Sequence, residues 1–377
     1  MKCARCGNSD PSLFYRGHRG YYCRKCIRFS RILLEEEPES PEYEVARGCQ
    51  DHFFSFRLSR EQLLASKMCA DCAETDDVLL HCVCGSGKTE IAVEAIGRYL
   101  SQGKKVAYAI SRKEVVIELG QRFSKIFPNA RVTAVYGGHH EETFGDLIVC
   151  TCHQLYRYYR TFDLLILDEV DAFPLKGDEA LMNVALNSCR GKVIFSTATV
   201  DSSLKKILDR RVYKKVCLYR RPSGRPLPLP KVIFLPDLLF PLCLIFLMRQ
   251  CETPCIIFVS SRKQCTFLYR LFSPFFSCTY VYSDLKEREE NIRAFREGRF
   301  RFIFSTTVLE RGITIPNVSV IILMKKGIFD ESSLIQMLGR VDRGIEVSNG
   351  KAFLLTERKD EAVVRTLNGL KEVNTYR

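Results

Sequence analysis

Four groups of residues in this 377-residue chain have the types and spacings that chemistry requires. The first is Cys84-Gly85-Ser86-Gly87-Lys88-Thr89-Glu90. A short apolar run, Val78–Cys82, precedes it, and apolar residues at helical spacing follow: Ile91, Ala92, Ala95, Ile96, Tyr99 and Leu100. Between strand and helix, backbone N–H groups of a glycine turn face an anion. Lys88 can then reach terminal phosphates, and the Thr89 hydroxyl can help hold Mg²⁺. The full pattern places a glycine where Cys82 stands, and Gly-Ser-Gly alone also serves as an ordinary strand–helix joint. The second group, Asp168-Glu169-Val170-Asp171, sets adjacent carboxylates at the end of the apolar run Leu164–Leu167. Asp168 is suited to a hydrated Mg²⁺ and Glu169 to orienting and deprotonating an attacking water. The plainer role for such acids is capping the next helix. The third group, Arg340 and Arg343, reads as two guanidiniums on one helical face, able to meet the charge of a γ-phosphate. Without the other groups they would read as a solvated basic face.

The fourth group is Cys3-x-x-Cys6 and Cys23-x-x-Cys26, separated by sixteen residues. Each pair supplies two thiolates from one tight turn, and two pairs complete a tetrahedron, so the spacing predicts a closed, structural zinc site. Gly7 suits such a turn because it tolerates positive φ. Aromatic and basic residues surround the cysteines: Phe14, Tyr15, Arg16, Arg19, Tyr21, Tyr22, Arg24, Lys25, Arg28 and Phe29. Such a mixture stacks and neutralises single-stranded nucleic acid, or it forms the small core of a ribbon with solubilising charges. Composition does not separate the two. His18 reads as a surface residue, and Cys69 and Cys72 as ordinary thiols on a helix.

The elements that must position these residues alternate. Strand-like runs at 78–82, 105–110, 131–136, 146–151, 164–167 and 192–196 are interleaved with helical patterns, which predicts a parallel sheet covered on both faces. The segment Pro222–Pro230 interrupts the series, which resumes at 255–259, 278–282, 301–305, 318–324 and 352–355. The expected organisation is a zinc ribbon at 1–30, an acidic connector at 31–57, a first lobe at 58–221, a Pro-rich linker at 222–230 and a second lobe at 231–377. Ligands of such sheets bind at the carboxyl ends of strands. The net charge of +13 favours a polyanionic partner, nucleic acid before an acidic membrane. No apolar run approaches the roughly 20 residues of a membrane span. Leu238–Met248, broken by Pro241, reads as a buried core helix. The cysteine-bearing N-terminus is unlike a signal peptide, and the 18 cysteines suit a reduced, cytoplasmic setting.

Taken in order, these segments resemble a superfamily 2 helicase or translocase. Cys84–Thr89 is similar to its first nucleotide motif and Asp168–Asp171 to a DEVD form of the DEAD box. Ser196-Thr197-Ala198-Thr199 is similar to the third motif, Thr306–Thr314 to the fifth and Gln336–Arg343 to the sixth. Gln62 resembles the upstream glutamine that reads adenine. Ser111-Arg112-Lys113, Thr151–Gln154 and Ser260-Ser261-Arg262 stand where this superfamily touches a nucleic-acid backbone. With the cysteine ribbon, and with Leu309–Pro316, the chain is more narrowly similar to the late competence DNA-uptake ATPases of Gram-positive bacteria, the ComFA family.

The resemblance implies an α/β fold of two RecA-like parallel-sheet lobes behind a four-cysteine ribbon. It implies an ATPase stimulated by single-stranded DNA, a motor drawing transforming DNA inward. Expected catalytic residues are Lys88, Asp168, Glu169, Arg340 and Arg343; expected nucleotide contacts are Gln62, Gly85, Ser86, Gly87, Lys88, Thr89 and Asp168. ATP, Mg²⁺ and Zn²⁺ are the expected cofactors, with zinc on Cys3, Cys6, Cys23 and Cys26. Implied partners are single-stranded DNA and other competence proteins, including the membrane DNA channel. The expected location is cytoplasmic, at the inner face of the membrane. Two features depart from the family: a short stretch between ribbon and first lobe, and Asp342 before the last arginine, where a small residue is common. Alternative readings are a primosomal or repair-type DNA helicase, a non-enzymatic zinc-ribbon DNA-binding protein, and RNA in place of DNA as the track.

Overall fold

The computed structural model describes residues 1–45, 52–139, 141–310, 315, 317–342 and 349–376. Contacts divide the chain into two units, Met1–Cys82 with Gly87–Leu218, and Val83–Ser86 with Tyr219–Arg377.

In the first unit the N-terminal segment forms a hairpin, β1 (Phe14–Gly17) and β2 (Gly20–Cys23), and no separate body. Then follow α1 (Arg60–Ala73), β3 (Asp77–Cys82), α2 (Lys88–Ser101), β4 (Val106–Ile110), α3 (Lys113–Ile126), β5 (Val132–Val135) and β6 (Leu147–Thr151). The series ends with β7 (Phe162–Asp168), α4 (Glu179–Asn187), β8 (Cys189–Thr197), α5 (Ser202–Leu208) and β9 (Tyr213–Leu218). Seven strands make one sheet in the order β5-β6-β4-β7-β8-β3-β9, and every pair is parallel. The central strands β4, β6 and β7 are buried almost throughout, as expected for a sheet covered on both faces. One helix layer packs Ile91, Ala95, Tyr99, Val116 and Phe123 against it; the other packs Leu181, Ala185 and Leu204.

The second unit repeats the plan. It comprises β10 (Lys231–Phe234), α6 (Phe240–Gln250), β11 (Cys255–Phe258), α7 (Arg262–Phe272), β12 (Cys278–Val281) and α8 (Arg288–Arg296). Next come β13 (Phe302–Ser305), β14 (Ser319–Leu323), α9 (Glu331–Leu338), β15 (Ala352–Thr356) and α10 (Glu361–Thr375). Its sheet order is β10-β15-β14-β11-β13-β12, again all parallel.

Two local expectations need correction. The apolar run at 238–248 is not a buried core helix: Pro241 opens α6 at its first turn, and only one face, with Phe240, Leu244, Leu247 and Met248, turns inward. Leu238, Leu242 and Phe246 are exposed. Nor does Arg340 lie on a helix, while Arg343, its expected partner on one helical face, lies outside the described residues. The helix ends at Leu338, Gly339 and Arg340 form a turn, and Asp342 takes a left-handed conformation at φ 51°. Among the described residues, no helix is long and apolar enough to cross a membrane.

Candidate nucleotide and metal sites

The phosphate-loop segment has the backbone its glycines predict. Gly85 and Gly87 take φ of 81° and 89°, conformations that L side chains rarely adopt. Gly87 sits at the start of α2, so Lys88 and Thr89 begin the helix whose N–H groups are the anion-binding end. A Cβ added at Gly87 would meet Gln62 Nε2 at 2.4 Å and Glu90 Oε2 at 3.1 Å, the ends of two flexible side chains, so it is the positive φ that calls for glycine here. Gln62 lies against this turn through its position in α1. It forms a capping box with Ser59, its Oε1 accepting from the Ser59 N–H at 2.9 Å. The amide oxygen is thus used locally, and the amide nitrogen is the end nearest the loop.

β7 delivers Asp168 into a buried network. Asp168 Oδ1 accepts from the Ser196 hydroxyl at 2.6 Å and from the Glu169 N–H at 3.0 Å; Oδ2 accepts from the Tyr108 hydroxyl at 2.7 Å. The same Tyr108 oxygen stands 3.4 Å from Thr89 Oγ1. Two side chains expected to serve Mg²⁺ are therefore linked through one phenol. Burial, and then the neighbouring Asp168 charge, push the Tyr108 phenol well above its ordinary value, so it remains a donor. Tyr108 has no place among the sequence motifs; it lies in the interior of β4, which β7 and β8 separate from β3 in the sheet. Glu169 is held at φ 55°, a conformation that costs energy for a residue with a Cβ. Adjacent parallel strands β7 and β8 bring the second and third motifs into register, Asp168 opposite Ser196. Thr199 Oγ1 also donates to Asp171 Oδ2 at 2.7 Å.

These residues fit a hydrated divalent cation and a nucleotide: the Asp168 carboxylate and the Thr89 hydroxyl meet through Tyr108, and Lys88 opens the helix that follows the glycine turn. Asp168's lone pairs are already partly engaged, which suits a metal held through its waters.

In the second unit, Arg340 is buried and its Nε donates to the Glu310 carbonyl at 3.1 Å, tying the sixth motif to the fifth. Arg221 holds the same turn, donating to the Gly339 and Val341 carbonyls at 3.0 and 2.7 Å. Asp342 Oδ1 accepts from the Gly350 N–H at 3.1 Å, and an added Cβ at Gly350 would collide with it at 2.3 Å. The residue that departs from the family is thus a local loop staple. Arg343, Arg311–Thr314 and Pro316 lie outside the described residues.

Cys3, Cys6, Cys23 and Cys26 converge, fully buried, with all four sulfurs within 4.8 Å of one another. Cys3 and Cys26 Sγ are 3.8 Å apart, Cys6 and Cys23 Sγ 3.7 Å. A tetrahedral centre with metal–sulfur bonds of about 2.3 Å has sulfur–sulfur edges of about 3.8 Å, and the Cys3–Cys26 and Cys6–Cys23 edges match that spacing. Thiol hydrogen bonds from Cys26 and Cys6 lower the pKa of Cys3, and the same contacts raise that of Cys26. Gly7 takes φ 70° in the first turn, as anticipated.

The turns are anchored to the first lobe. Asn183 Nδ2 donates to the Cys6 carbonyl at 3.0 Å, and Asn187 Nδ2 to the Ala4 and Arg5 carbonyls at 3.1 and 2.9 Å. Lys25 pairs with Glu179, and Arg28 with Asp178. Phe29 stacks on Tyr156 at 5.9 Å and lies 6.2 Å from the His153 ring.

Two family models match the chain: DEAD/DEAH box helicase over residues 62–207 and Helicase conserved C-terminal domain over 231–344. The chain is 31% identical to the competence protein ComFA of Streptococcus pneumoniae, over 99% of this chain and 90% of that protein. It belongs to the ComFA family. ComFA of Bacillus subtilis is 29% identical over 99% of this chain and 85% of its own length. Among solved structures, yeast Dbp5 bound to RNA and ADP BeF3 matches with a TM-score of 0.62 at 19% identity, covering 84% of this chain and 91% of that one. That likeness is one of fold. As a ComFA-family member with both helicase domains, the chain is an ATP-dependent helicase-type enzyme related to competence.

Proposed function

We propose that this ComFA-family chain is an ATP-driven translocase on single-stranded DNA, acting in the uptake of transforming DNA. The observation that carries the reading is full-length similarity to two competence proteins, ribbon and both lobes included. The first lobe supports it with a nucleotide site whose parts are mutually bonded. Lys88 and the N-terminus of α2 receive the phosphates. Thr89 and Asp168 hold Mg²⁺, and Glu169 orients and deprotonates the attacking water. Arg340 and Arg343 supply positive charge as the γ-phosphate leaves. The bonds from Ser196 and Thr199 to Asp168 and Asp171 offer a path by which loss of the γ-phosphate alters the strand ends that grip DNA. Zinc on the four cysteines is structural. The motor works at the inner face of the membrane with other competence proteins, including the channel that admits the strand.

Displacement of streptavidin from a biotinylated single strand tests the reading. ATP-dependent displacement from one end, with little separation of a forked duplex, is expected. Efficient duplex separation without displacement would replace the translocase with a helicase.

A further inference from the structure

The mixture of rings and cations around the cysteines is compatible either with a small core or with a surface for bases, and the structure distinguishes them. Core duties fall to the four cysteines, Phe29 and Ile32, all buried and packed with the first lobe. The hairpin tyrosines are not needed there. Tyr15 is 53% exposed and Tyr21 37%. Register places Tyr15 opposite Tyr22, on the face alternate to Phe14 and Cys23 and hence away from the metal. The two rings are 5.6 Å apart, and the Arg31 guanidinium lies 4.7 Å over Tyr22.

Charge points the same way. From Pro11 to Leu34 the chain has six cations and no carboxylate, the acidic run starting at Glu35. Lys25 and Arg28 are used in docking to α4. Arg16, Arg19, Arg24 and Arg31 are exposed and, among the described residues, form no ion pair. Position supplies a third argument: Phe29 ties the ribbon to His153 and Tyr156, beside the segment expected to touch a nucleic-acid backbone.

We infer that the outer face of the β1–β2 hairpin is an accessory single-strand platform, with Tyr15 stacking a base and Arg19, Arg24 and Arg31 meeting phosphates. The inference rests on the motor reading above and adds a second grip, fixed to the first lobe, outside the lobes' own strand contacts. Aromatic faces accept any base, so this grip is indifferent to sequence.

The test uses the full-length, zinc-loaded protein and fluorescent oligothymidylates of graded length. Tyr15→Leu is expected to weaken binding about tenfold, the scale of one lost stacked base, on long oligomers only. Tyr15→Phe keeps the ring and binds within about twofold of the parent. Arg24→Gln with Arg31→Gln lowers the slope of log affinity against log salt by up to about 1.4, at about 0.7 per phosphate contact. Basal ATPase and zinc content stay at parental values in all variants. If the parent binds and is stimulated by single strands while Tyr15→Leu and the arginine variant behave like it, the platform alone is refuted, and a protein partner becomes the occupant of this face. Equal losses in Tyr15→Leu and Tyr15→Phe also refute stacking. A parent that binds no single strand removes both readings together.

Discussion

Removing one oxygen tests the internal architecture of the nucleotide site. Tyr108 is fully buried, and its hydroxyl donates to Asp168 at 2.7 Å beside Thr89. Tyr108→Phe preserves the ring and deletes that donor. A hydrogen bond to a charged group contributes about 1.5–3 kcal/mol, and Asp168, only 6% exposed, is poorly placed to replace it with bulk water. The first lobe should lose about that much stability, a fall in Tm of roughly 3–12 °C at about 2–4 °C per kcal/mol. The Mg²⁺ concentration for half-maximal ATPase should rise, because Ser196 and the Glu169 N–H alone then orient the carboxylate. Calorimetry on Tyr108→Phe, Asp168→Asn and the double variant isolates the pair. Since both single changes weaken one bond, the double variant should be less damaged than the sum by at least about 1 kcal/mol. Additivity within about 0.5 kcal/mol would refute the linkage, whatever each single change does.

Metal removal should be felt beyond the ribbon. Phe29 packs on the first lobe and Asn183 and Asn187 hold the metal turns, so a strong chelator, or Cys6→Ser, should release one zinc per chain and lower that lobe's Tm; a protein that holds no zinc and melts unchanged contradicts the assignment. Burial and then Lys215 depress the pKa of His81, whose Nε2 lies 3.2 Å from the Ala198 carbonyl, so the neutral ring is favoured in the fold. Its contribution to stability is complete above the unfolded value of about 6.5 and declines as pH falls through the lower folded value. His81→Gln should flatten that limb of the stability–pH curve; an unaltered slope would show that other groups set it.

Much of this architecture is legible in sequence because central parallel strands are continuous apolar runs. All six strands anticipated in the first lobe and all five in the second are present, within a few residues at their ends. The edge strands β9 and β10 escaped notice. Tyr213-Lys214-Lys215 and Lys231 face solvent, so neither segment has the apolar continuity that marks a buried strand. Motifs made of contiguous residues were equally visible, including four cysteines whose sulfurs do converge. Tyr108 was invisible because its partners come from α2 and β7, and only sheet order brings them to β4. The sixth motif misled for a local reason. Arg340 was expected on a helix, but the helix stops at Leu338 and Asp342 adopts a left-handed turn whose carboxylate accepts from the Gly350 N–H. The apolar run at 238–248 was read as buried since composition does not reveal that one face of α6 remains open.

The central claim is that hydrolysis at Lys88 and Glu169 is driven by a bound single strand. Its most direct test is the ATPase rate of the parent, Lys88→Ala and Glu169→Gln across single-stranded DNA, duplex DNA and RNA at one fixed salt concentration, alongside binding of the same polymers. The account predicts that single-stranded DNA stimulates the parent most. Both variants should lose turnover by a factor of about 10² or more while retaining strand binding, since each removes a group required by the transition state rather than by the track. A parent indifferent to all three polymers, or variants that hydrolyse ATP at the parental rate, would contradict it.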